Sequence, residues 1–206
     1  PECVLIDTCA LKTLPRRETA SGVSEVIKYG LIWDADLFEW LEEKVELLCD
    51  GDAATLAVAM ERSCLIKAAV VAEDEREGGI RAFLNLGHTF GHAVETFAGY
   101  GTYLHGEAIG VGLAMAADLS CRQGWITEDI RDRTIALVKR CDLPTDPPET
   151  MTPDDFLNLM AVDKKNVDGS LRLVLLKGPL GTCLVTSDFD NNLLMDTLNQ
   201  YCTALG

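Results

Sequence analysis

The sequence Asn-Leu-Gly-His-Thr-Phe-Gly-His-Ala-Val-Glu occupies positions 85–95 and decides how the rest of the chain is arranged. It carries two of the three histidines among the 206 residues, and the third, His105, follows ten positions later. At about 100° per residue, His88, His92 and Glu95 share one face of a helix. The stretch therefore predicts a helix with two imidazoles on its polar face.

The ends and the opposite face of this helix can also be predicted. Asn85 is a suitable N-cap residue, and Gly99 is expected to end the helix. Phe90, Val94 and Phe97 fall opposite the histidines and predict an apolar stripe that packs on the core.

A second helix is expected to begin near His105. The residues from Ala108 to Leu119 are almost all apolar or small, which predicts a helix buried on every side. Gly106, Gly110 and Gly112 would let a neighbouring helix approach its backbone closely. His105 would then lie at the N-terminus, where the helix dipole disfavours the imidazolium form and a neutral, metal-binding imidazole is expected.

Spacing alone favours His88 and His92 as a metal-binding pair, because they are four residues apart on one helix face. The zincin metalloproteases have a glutamate directly after the first histidine of such a pair, and this chain has Thr89 there. The alternative, that the three histidines are capping or surface residues, stays open at this point.

Composition limits the function classes. Apolar residues make up 48% of the chain and the formal net charge is −15. The charge argues against a nucleic-acid-binding protein or a protein that binds anionic membranes. The eight cysteines form no Cys-x-x-Cys pair, so we expect free thiols. No apolar run is long enough to span a membrane.

The pattern along the chain predicts a mainly α-helical domain with a small β element. Asp34 and Asp52 are expected to cap two of the helices. The predicted helices outside the histidine region cover residues 17–32, 34–49, 52–75, 127–141, 152–162 and 189–201. The predicted strands cover residues 1–7, 77–84, 171–176 and 182–186.

Several cations stand out in this acidic chain. Lys67 falls in an otherwise inward-facing stripe of its helix, which indicates an anionic ligand or a snorkelling side chain. Lys28 follows Glu25 by one helical turn, a spacing that also suits a surface ion pair. These lysines could form a cationic set for a phosphorylated or carboxylated small substrate, and its further members would be Arg81, Lys164 and Lys165.

Six stretches, in order, resemble the 3-dehydroquinate synthase family. They are Leu-Lys-Thr-Leu-Pro-x-Arg-Glu (11–18), Ser-Gly-Val-Ser-Glu-Val-Ile-Lys-Tyr-Gly (21–30), Glu-Arg-Ser-Cys-x-x-Lys (61–67), Leu-Asn-Leu-Gly-His-Thr-Phe-Gly-His-Ala (84–93), Gly-Tyr-Gly-x-x-Leu-His-Gly-Glu-Ala (99–108) and Asp-Lys-Lys (163–165). The C-terminal half looks like the plastid and cyanobacterial type, so the expected location is the cytoplasm or the plastid stroma.

The resemblance implies the C-terminal helical domain of a dehydroquinate synthase-like fold. Residues 1–15 would be the end of an N-terminal NAD-binding domain and its connection, and residues 16–206 the metal- and substrate-binding domain. The NAD-binding domain itself would be missing from this chain. Family members are usually homodimers, and no membrane or nucleic-acid partner is implied.

The resemblance also implies roles for individual residues. Glu25, His88 and His105 would bind Zn²⁺ or Co²⁺, which replaces the pair favoured by spacing and makes His92 a substrate or phosphate contact. The remaining substrate-site positions would be Lys28, Lys67, Arg81, Asn85, Glu77 and one of Lys164 or Lys165. The NAD contacts would be Ala10, Leu11, Lys12 and Thr13.

The implied reaction converts 3-deoxy-arabino-heptulosonate 7-phosphate, a phosphorylated sugar acid, to 3-dehydroquinate and phosphate. Two alternatives remain. One is another sugar phosphate cyclase, or an iron-type or glycerol dehydrogenase, on the same architecture. The other is a non-catalytic helical domain that only binds a metal or a partner chain.

Overall fold

The computed structural model describes residues 5–74, 79–99, 101–162 and 171–203. Within these ranges the chain is mainly helical with one two-stranded sheet, which confirms the predicted fold class. The helices are α1 (Arg16–Ile32), α2 (Ala35–Cys49), α3 (Ala53–Glu73), α4 (His88–Ala98), α5 (His105–Arg122), α6 (Glu128–Arg140), α7 (Pro153–Val162) and α8 (Asn191–Thr203). The strands are β1 (Leu173–Leu176) and β2 (Cys183–Thr186), and two 3₁₀ helices cover Thr8–Thr13 and Ile80–Asn85.

Helix α5 forms the centre of the described structure. Every residue from Ala108 to Ser120 is buried, as the run of apolar and small residues predicts. Helices α1, α4, α6 and α8 and strand β1 all pack against α5. The core is therefore built around the helix that begins with His105.

Two glycines of α5 allow its neighbours to approach closely. A Cβ atom on Gly106 would lie 1.9 Å from the carbonyl oxygen of Ser21 in α1. A Cβ atom on Gly112 would lie 1.9 Å from the carbonyl oxygen of Gly87, directly before α4. Because no side chain fits at either position, these contacts fix the distances between the helices that carry Glu25, His88 and His105.

Buried polar groups connect α5 to the C-terminal elements. Asp118 is 2% exposed, and it accepts hydrogen bonds from Thr197 Oγ1 at 2.9 Å and from Arg122 Nε at 2.6 Å. Ser120 Oγ accepts a hydrogen bond from the backbone N–H of Leu176 at 3.0 Å. Helix α8 and the sheet are thus held to the central helix by satisfied polar contacts.

The sheet is a single antiparallel hairpin. Leu173 pairs with Thr186, and Leu176 pairs with Cys183. Strand β1 is buried along its whole length, whereas β2 is partly exposed. The strands predicted at residues 171–176 and 182–186 are confirmed.

The two predicted aspartate caps are also confirmed. Asp34 Oδ1 accepts a hydrogen bond from the backbone N–H of Leu37 at 3.0 Å, at the start of α2. Asp52 Oδ2 accepts one from the backbone N–H of Thr55 at 2.8 Å, at the start of α3. Each carboxylate satisfies an N–H that has no partner within its own helix.

The predicted cap at Asn85 is wrong. The residue that precedes α4 is Gly87, whose φ of 78° lies in the left-handed region. Asn85 instead ends a 3₁₀ helix, and its Nδ2 donates to the carbonyl oxygen of Ala82 at 3.1 Å. A glycine was needed here because the backbone must turn sharply while passing against Gly112.

The strand predicted at residues 77–84 is also wrong in its described part. Asp74 Oδ2 accepts hydrogen bonds from the backbone N–H groups of Gly79 and Arg81, at 2.6 and 3.1 Å. These bonds turn the chain into the 3₁₀ helix Ile80–Asn85 instead of an extended segment. Of the strand predicted at residues 1–7, residues 1–4 lie outside the described ranges and residues 5–7 are not in a strand.

Lys67 does not lie on the inward face of α3, contrary to the prediction. Its side chain is exposed, whereas the neighbouring Ile66 is buried, as are Ala59 and Val70. Alanine and other apolar residues occur all around α3, so the sequence pattern did not identify a single buried stripe. Lys67 therefore needs no partner to offset burial.

The seven cysteines within the described ranges are all free thiols, as expected. None of the helices formed by the described residues is both long and apolar enough to cross a membrane.

Candidate functional site

Glu25, on α1, has two carboxylate oxygens in different environments. Oε2 accepts a hydrogen bond from Lys28 Nζ at 2.5 Å, and Lys28 is 2% exposed. Oε1 is buried and has no hydrogen-bond partner. His88 Nε2 lies 3.7 Å from Oε1, and His105 Nε2 lies 4.0 Å from it. An unpaired buried carboxylate oxygen beside two imidazole nitrogens is costly unless a cation lies between them.

His88 is the first residue of α4, and its ring is held in one orientation. Nδ1 lies 3.1 Å from the carbonyl oxygen of Leu86. Because a carbonyl can only accept, Nδ1 carries the proton, and Nε2 keeps a lone pair that faces Glu25. Burial, and then the positive charge of Lys28, lower the pKa of His88 to about 4 against the opposing effect of Glu25. His88 is therefore a neutral imidazole at neutral pH, the form that binds metals.

His105 is the first residue of α5, and its ring has the same tautomer for a different reason. Nδ1 lies 3.2 Å from Glu95 Oε2, which also can only accept when ionised. In a neutral ring the lone pair of Nε2 therefore faces Glu25. The side chain of His105 is 49% exposed, so it lies at the open side of the cluster.

His92 is close to the other two histidines but belongs to a different group of ligand atoms. Its ring centroid lies 5.4 Å from that of His88 and 6.1 Å from that of His105. Among the described residues, the atoms of Glu25, His88 and His105 all lie within 4.8 Å of one another, as do those of His92, Glu95 and His105. No such group formed by the described residues combines His88 with His92, the pair that spacing alone favoured.

The first of these groups fits a divalent cation with an open coordination position. One carboxylate and two neutral imidazoles are the ligand set of a catalytic Zn²⁺ site. Ligand atoms around a tetrahedral Zn²⁺ lie about 3.4 Å apart. The distances of 3.7 and 4.0 Å from Glu25 Oε1 to the two Nε2 atoms would therefore need only a small contraction. The ligand assignment itself stays a prediction.

A cleft of about 900 Å³ lies between α3, the 3₁₀ helix Ile80–Asn85 and the hairpin. Thr89, the residue after His88, lines it, so the cleft reaches the start of the histidine helix. Its wall also includes Lys67, Arg81 and Asn85, three of the residues predicted to hold the substrate. The structure thus brings these three side chains to one cleft, although Lys67 reaches it from an exposed position.

Arg172 lines the same cleft and was missed by the sequence analysis. It is exposed and directly precedes β1, whose pairing with β2 brings it to the cleft together with Val174 and Leu184. The sequence placed Arg172 near the start of a predicted strand, which could have marked it as a candidate. Only the pairing register of the hairpin shows which face of that strand meets the cleft.

The remaining residues that the sequence analysis assigned to the substrate and NAD sites do not lie near Glu25 and the histidines in the described part of the chain. Glu77, Lys164 and Lys165 lie outside the described residues. Ala10, Leu11, Lys12 and Thr13 belong to the first 3₁₀ helix, and Leu11 and Lys12 line a separate cleft of about 320 Å³.

Residues 22–166 match the family model described as "3-dehydroquinate synthase C-terminal". The chain is 58% identical to the chloroplastic 3-dehydroquinate synthase of Arabidopsis thaliana, over 98% of this chain and 46% of that protein. It is 56% identical to the 3-dehydroquinate synthase of Saccharophagus degradans, over 97% of this chain and 55% of that protein. The chain therefore spans about half the length of the curated relatives it matches.

Solved structures of two other enzymes are similar to this chain at 26% identity. A 2-epi-5-epi-valiolone synthase from Streptomyces hygroscopicus, with NAD⁺ and Zn²⁺ bound, superposes with a TM-score of 0.87 over 97% of this chain and 55% of that chain. A 2-deoxy-scyllo-inosose synthase complexed with carbaglucose-6-phosphate, NAD⁺ and Co²⁺ superposes with a TM-score of 0.81 over 95% of this chain and 54% of that chain.

Proposed function

The chain belongs to the 3-dehydroquinate synthase C-terminal family, and on that premise we propose that it is the metal- and substrate-binding half of a 3-dehydroquinate synthase. The complete enzyme would convert 3-deoxy-arabino-heptulosonate 7-phosphate to 3-dehydroquinate and phosphate. The observation that carries the proposal is the unpaired Oε1 of Glu25 facing His88 and His105. A cleft with three cationic side chains lies beside the same histidine helix.

Glu25, His88 and His105 would hold Zn²⁺ or Co²⁺. When bound, the metal would polarise a substrate hydroxyl and the ketone derived from it, while NAD would accept the hydride and return it. Lys28 neutralises one oxygen of Glu25 and leaves the other directed at the histidines. The ring of His88 would not need to rotate to bind the metal, because its Nδ1–H already donates a hydrogen bond to the carbonyl oxygen of Leu86.

The cleft would recognise the two anionic groups of the substrate. Lys67, Arg81 and Arg172 supply positive charge on its walls within a protein of net charge −15. Arginine can bind a carboxylate or a phosphate through two parallel hydrogen bonds, and lysine adds a point charge. Asn85 offers an amide at the edge of the cleft, close to the start of α4. Holding both anionic ends would fix the substrate relative to the metal.

His92 would contact substrate or the departing phosphate instead of the metal. Glu77, Lys164 and Lys165 are proposed as further substrate-site residues on the resemblance alone, as are the NAD contacts Ala10, Leu11, Lys12 and Thr13. The proposal also includes an N-terminal NAD-binding domain as the partner of residues 16–206, assembly as a homodimer, and a location in the cytoplasm or the plastid stroma.

A second candidate is another sugar phosphate cyclase, and the two solved structures favour it because both superpose over nearly the whole chain. Their 26% identity is well below the 58% shared with a 3-dehydroquinate synthase. The fold is therefore compatible with both activities, and a measurement of substrate preference is needed to distinguish a 3-dehydroquinate synthase from another sugar phosphate cyclase.

The decisive experiment supplies the full-length enzyme with NAD, Zn²⁺ and the heptulosonate phosphate, and measures phosphate release and the product. We expect stoichiometric phosphate and 3-dehydroquinate. Lys67→Ala should raise KM at least about tenfold, because a charge-assisted contact contributes roughly 1.5–3 kcal/mol. Lys139→Ala is the matched control, since Lys139 is exposed on α6 and does not line the cleft. Turnover only of other sugar phosphates would support the second candidate.

A further inference from the structure

Glu95 faces the same side of α4 as the histidines. It lies seven residues after His88 and three after His92. Its Oε2 is 3.2 Å from Nδ1 of His105, and the side chains of Glu95 and His105 are 31% and 49% exposed. The contact joins the end of α4 to the start of α5.

The two imidazoles that face Glu25 differ in what holds them. His88 is 13% exposed, is packed at the start of α4, and donates to a neutral backbone carbonyl. His105 is half-exposed, so packing fixes its ring much less. Its Nδ1 is hydrogen-bonded to the carboxylate of Glu95. The orientation of His105 therefore depends on Glu95 far more than the orientation of His88 depends on any side chain.

We propose that Glu95 is a positioning residue that holds His105 with its Nε2 lone pair directed at the metal position. This inference rests on the proposed metal-binding function. The Glu95 carboxylate accepts a hydrogen bond from Nδ1–H, which disfavours the neutral tautomer with its proton on Nε2. Its negative charge also makes the imidazole a stronger donor to a cation. Such partners of metal-binding histidines contribute about 10–100-fold to metal affinity.

The same coordinates allow a competing role for Glu95. Its carboxylate, with His92 and His105, forms the second group of atoms that could hold an ion. In that case Glu95 would be a direct ligand of a second metal. The two roles differ in stoichiometry, because a positioning residue changes the affinity of one ion and a ligand changes the number of ions bound.

The test uses metal-free full-length enzyme with three variants of α4, titrated with Zn²⁺ and Co²⁺ against a chromophoric chelator. We expect one metal per chain in every variant. The Kd for the metal should rise about 10–100-fold in Glu95→Ala. It should rise by a smaller factor in Glu95→Gln, whose amide oxygen can still accept a hydrogen bond from Nδ1–H of His105. Thr96→Ala, at the exposed neighbouring position, should leave the Kd unchanged.

A second readout needs no metal. The ¹⁵N chemical shifts of His105 should indicate the Nδ1-protonated tautomer in the wild type and in Glu95→Gln, and a mixture of tautomers in Glu95→Ala. Because Glu95 is partly exposed and glutamine has the same shape, Glu95→Gln keeps the test valid even where the alanine variant is poorly folded.

The possible failures can be told apart. A wild-type enzyme that binds no divalent metal would overturn the proposed function itself. Metal binding with an unchanged Kd and unchanged His105 tautomer in Glu95→Ala would overturn only the role of Glu95. A wild type that binds two ions and a Glu95→Ala variant that binds one would replace this role by that of a direct ligand.

Discussion

At the scale of single residues, Glu25 is the one whose environment points to a cation. One of its oxygens is neutralised by Lys28, and the other faces two imidazole nitrogens without a hydrogen-bond donor. Nδ1 of each imidazole has a hydrogen-bond acceptor, so a neutral ring at either position directs the lone pair of Nε2 at Glu25. Two nitrogens and a carboxylate oxygen then face one another, an arrangement that a bound cation would stabilise.

The two histidines of α4 should respond differently to substitution. His88→Asn should abolish stoichiometric binding of zinc, because it removes a nitrogen directed at Glu25. His92→Asn should retain one zinc per chain and instead impair substrate turnover. Zinc content after dialysis, measured by atomic emission, checks both expectations. Unchanged zinc in His88→Asn would refute the ligand assignment.

The sequence pattern identified histidines, carboxylates and lysines as candidate site residues. It could not show which of these side chains lie close enough together to share a cation. Helical periodicity places His88 and His92 on one face, and this result is correct. It cannot show that α1 passes on the His88 side, because that depends on the glycine contacts of α5 with distant parts of the chain. Only the family resemblance linked Glu25 to the histidines. Arg172 was missed for the same reason, since its place depends on strand register.

At the scale of elements, the site depends on helices that approach one another more closely than side chains would allow. Gly106 and Gly112 bring α5 against the backbone of Ser21 and of Gly87. The three proposed ligands lie on or next to these crossing points: Glu25 is one turn beyond Ser21, His88 follows Gly87, and His105 precedes Gly106. A change of helix separation would therefore move all three side chains at once.

Gly112→Ala should destabilise the protein by about 3 kcal/mol or more, because the added Cβ would overlap the carbonyl of Gly87 and the backbone would have to shift. Metal affinity should fall as well, since His88 follows Gly87. Gly22→Ala is the matched control: Gly22 lies inside α1 with nothing within 4 Å of an added Cβ. It should be neutral or stabilise by about 0.5–1 kcal/mol. Urea unfolding measures both; equal stability of the two variants would contradict the close-approach argument.

The start of α3 offers a pH-dependent test. Hydrogen bonds from the side chain and backbone of Thr55 lower the pKa of Asp52 below its usual value. The folded state thus favours the ionised form, so the stabilisation is present above the unfolded-state pKa and is lost as pH falls through the folded-state pKa. Asp52→Ala should lower the Tm at pH 7, with a smaller difference near pH 3. Asp52→Asn keeps a capping oxygen and should lose less. Calorimetry checks this, and an equal deficit of Asp52→Ala at both pH values would contradict it.

Most elements could be predicted because their ends carry clear local signals, such as Asp34 and Asp52 at helix starts and Gly99 at a helix end. The errors occurred where the sequence pattern fits more than one local structure. The chain turns into the 3₁₀ helix Ile80–Asn85 because Asp74 binds the backbone beyond it. Lys67 was placed inward because α3 is apolar or small on most of its surface, so its pattern fits more than one orientation.

At the scale of the whole molecule, an acidic protein presents a local cluster of positive charge. The formal net charge of −15 contrasts with Lys67, Arg81 and Arg172 on the walls of one cleft. The overall charge disfavours binding to nucleic acids, whereas the cleft can attract a small anion at short range. Thr89 also lines the cleft, so an anion bound there would lie beside the start of the histidine helix.

The 206-residue chain alone should bind one divalent metal but should not release phosphate from the heptulosonate phosphate, because the hydride acceptor would be held by the NAD-binding domain. Metal titration and a phosphate assay in the presence of NAD test both parts. The full-length enzyme under the same conditions is the positive control. NAD-dependent phosphate release by the chain alone would contradict this prediction.

The ion pair between Lys28 and Glu25 has a consequence for how the protein withstands metal shortage. Half of the ligand carboxylate is already neutralised, and the histidines stand on helices that are held by apolar packing around α5. Unlike a zinc finger, which unfolds without its ion, such a protein should keep its shape when zinc is scarce. Zinc returned to the metal-free protein should then refill the site without a folding step.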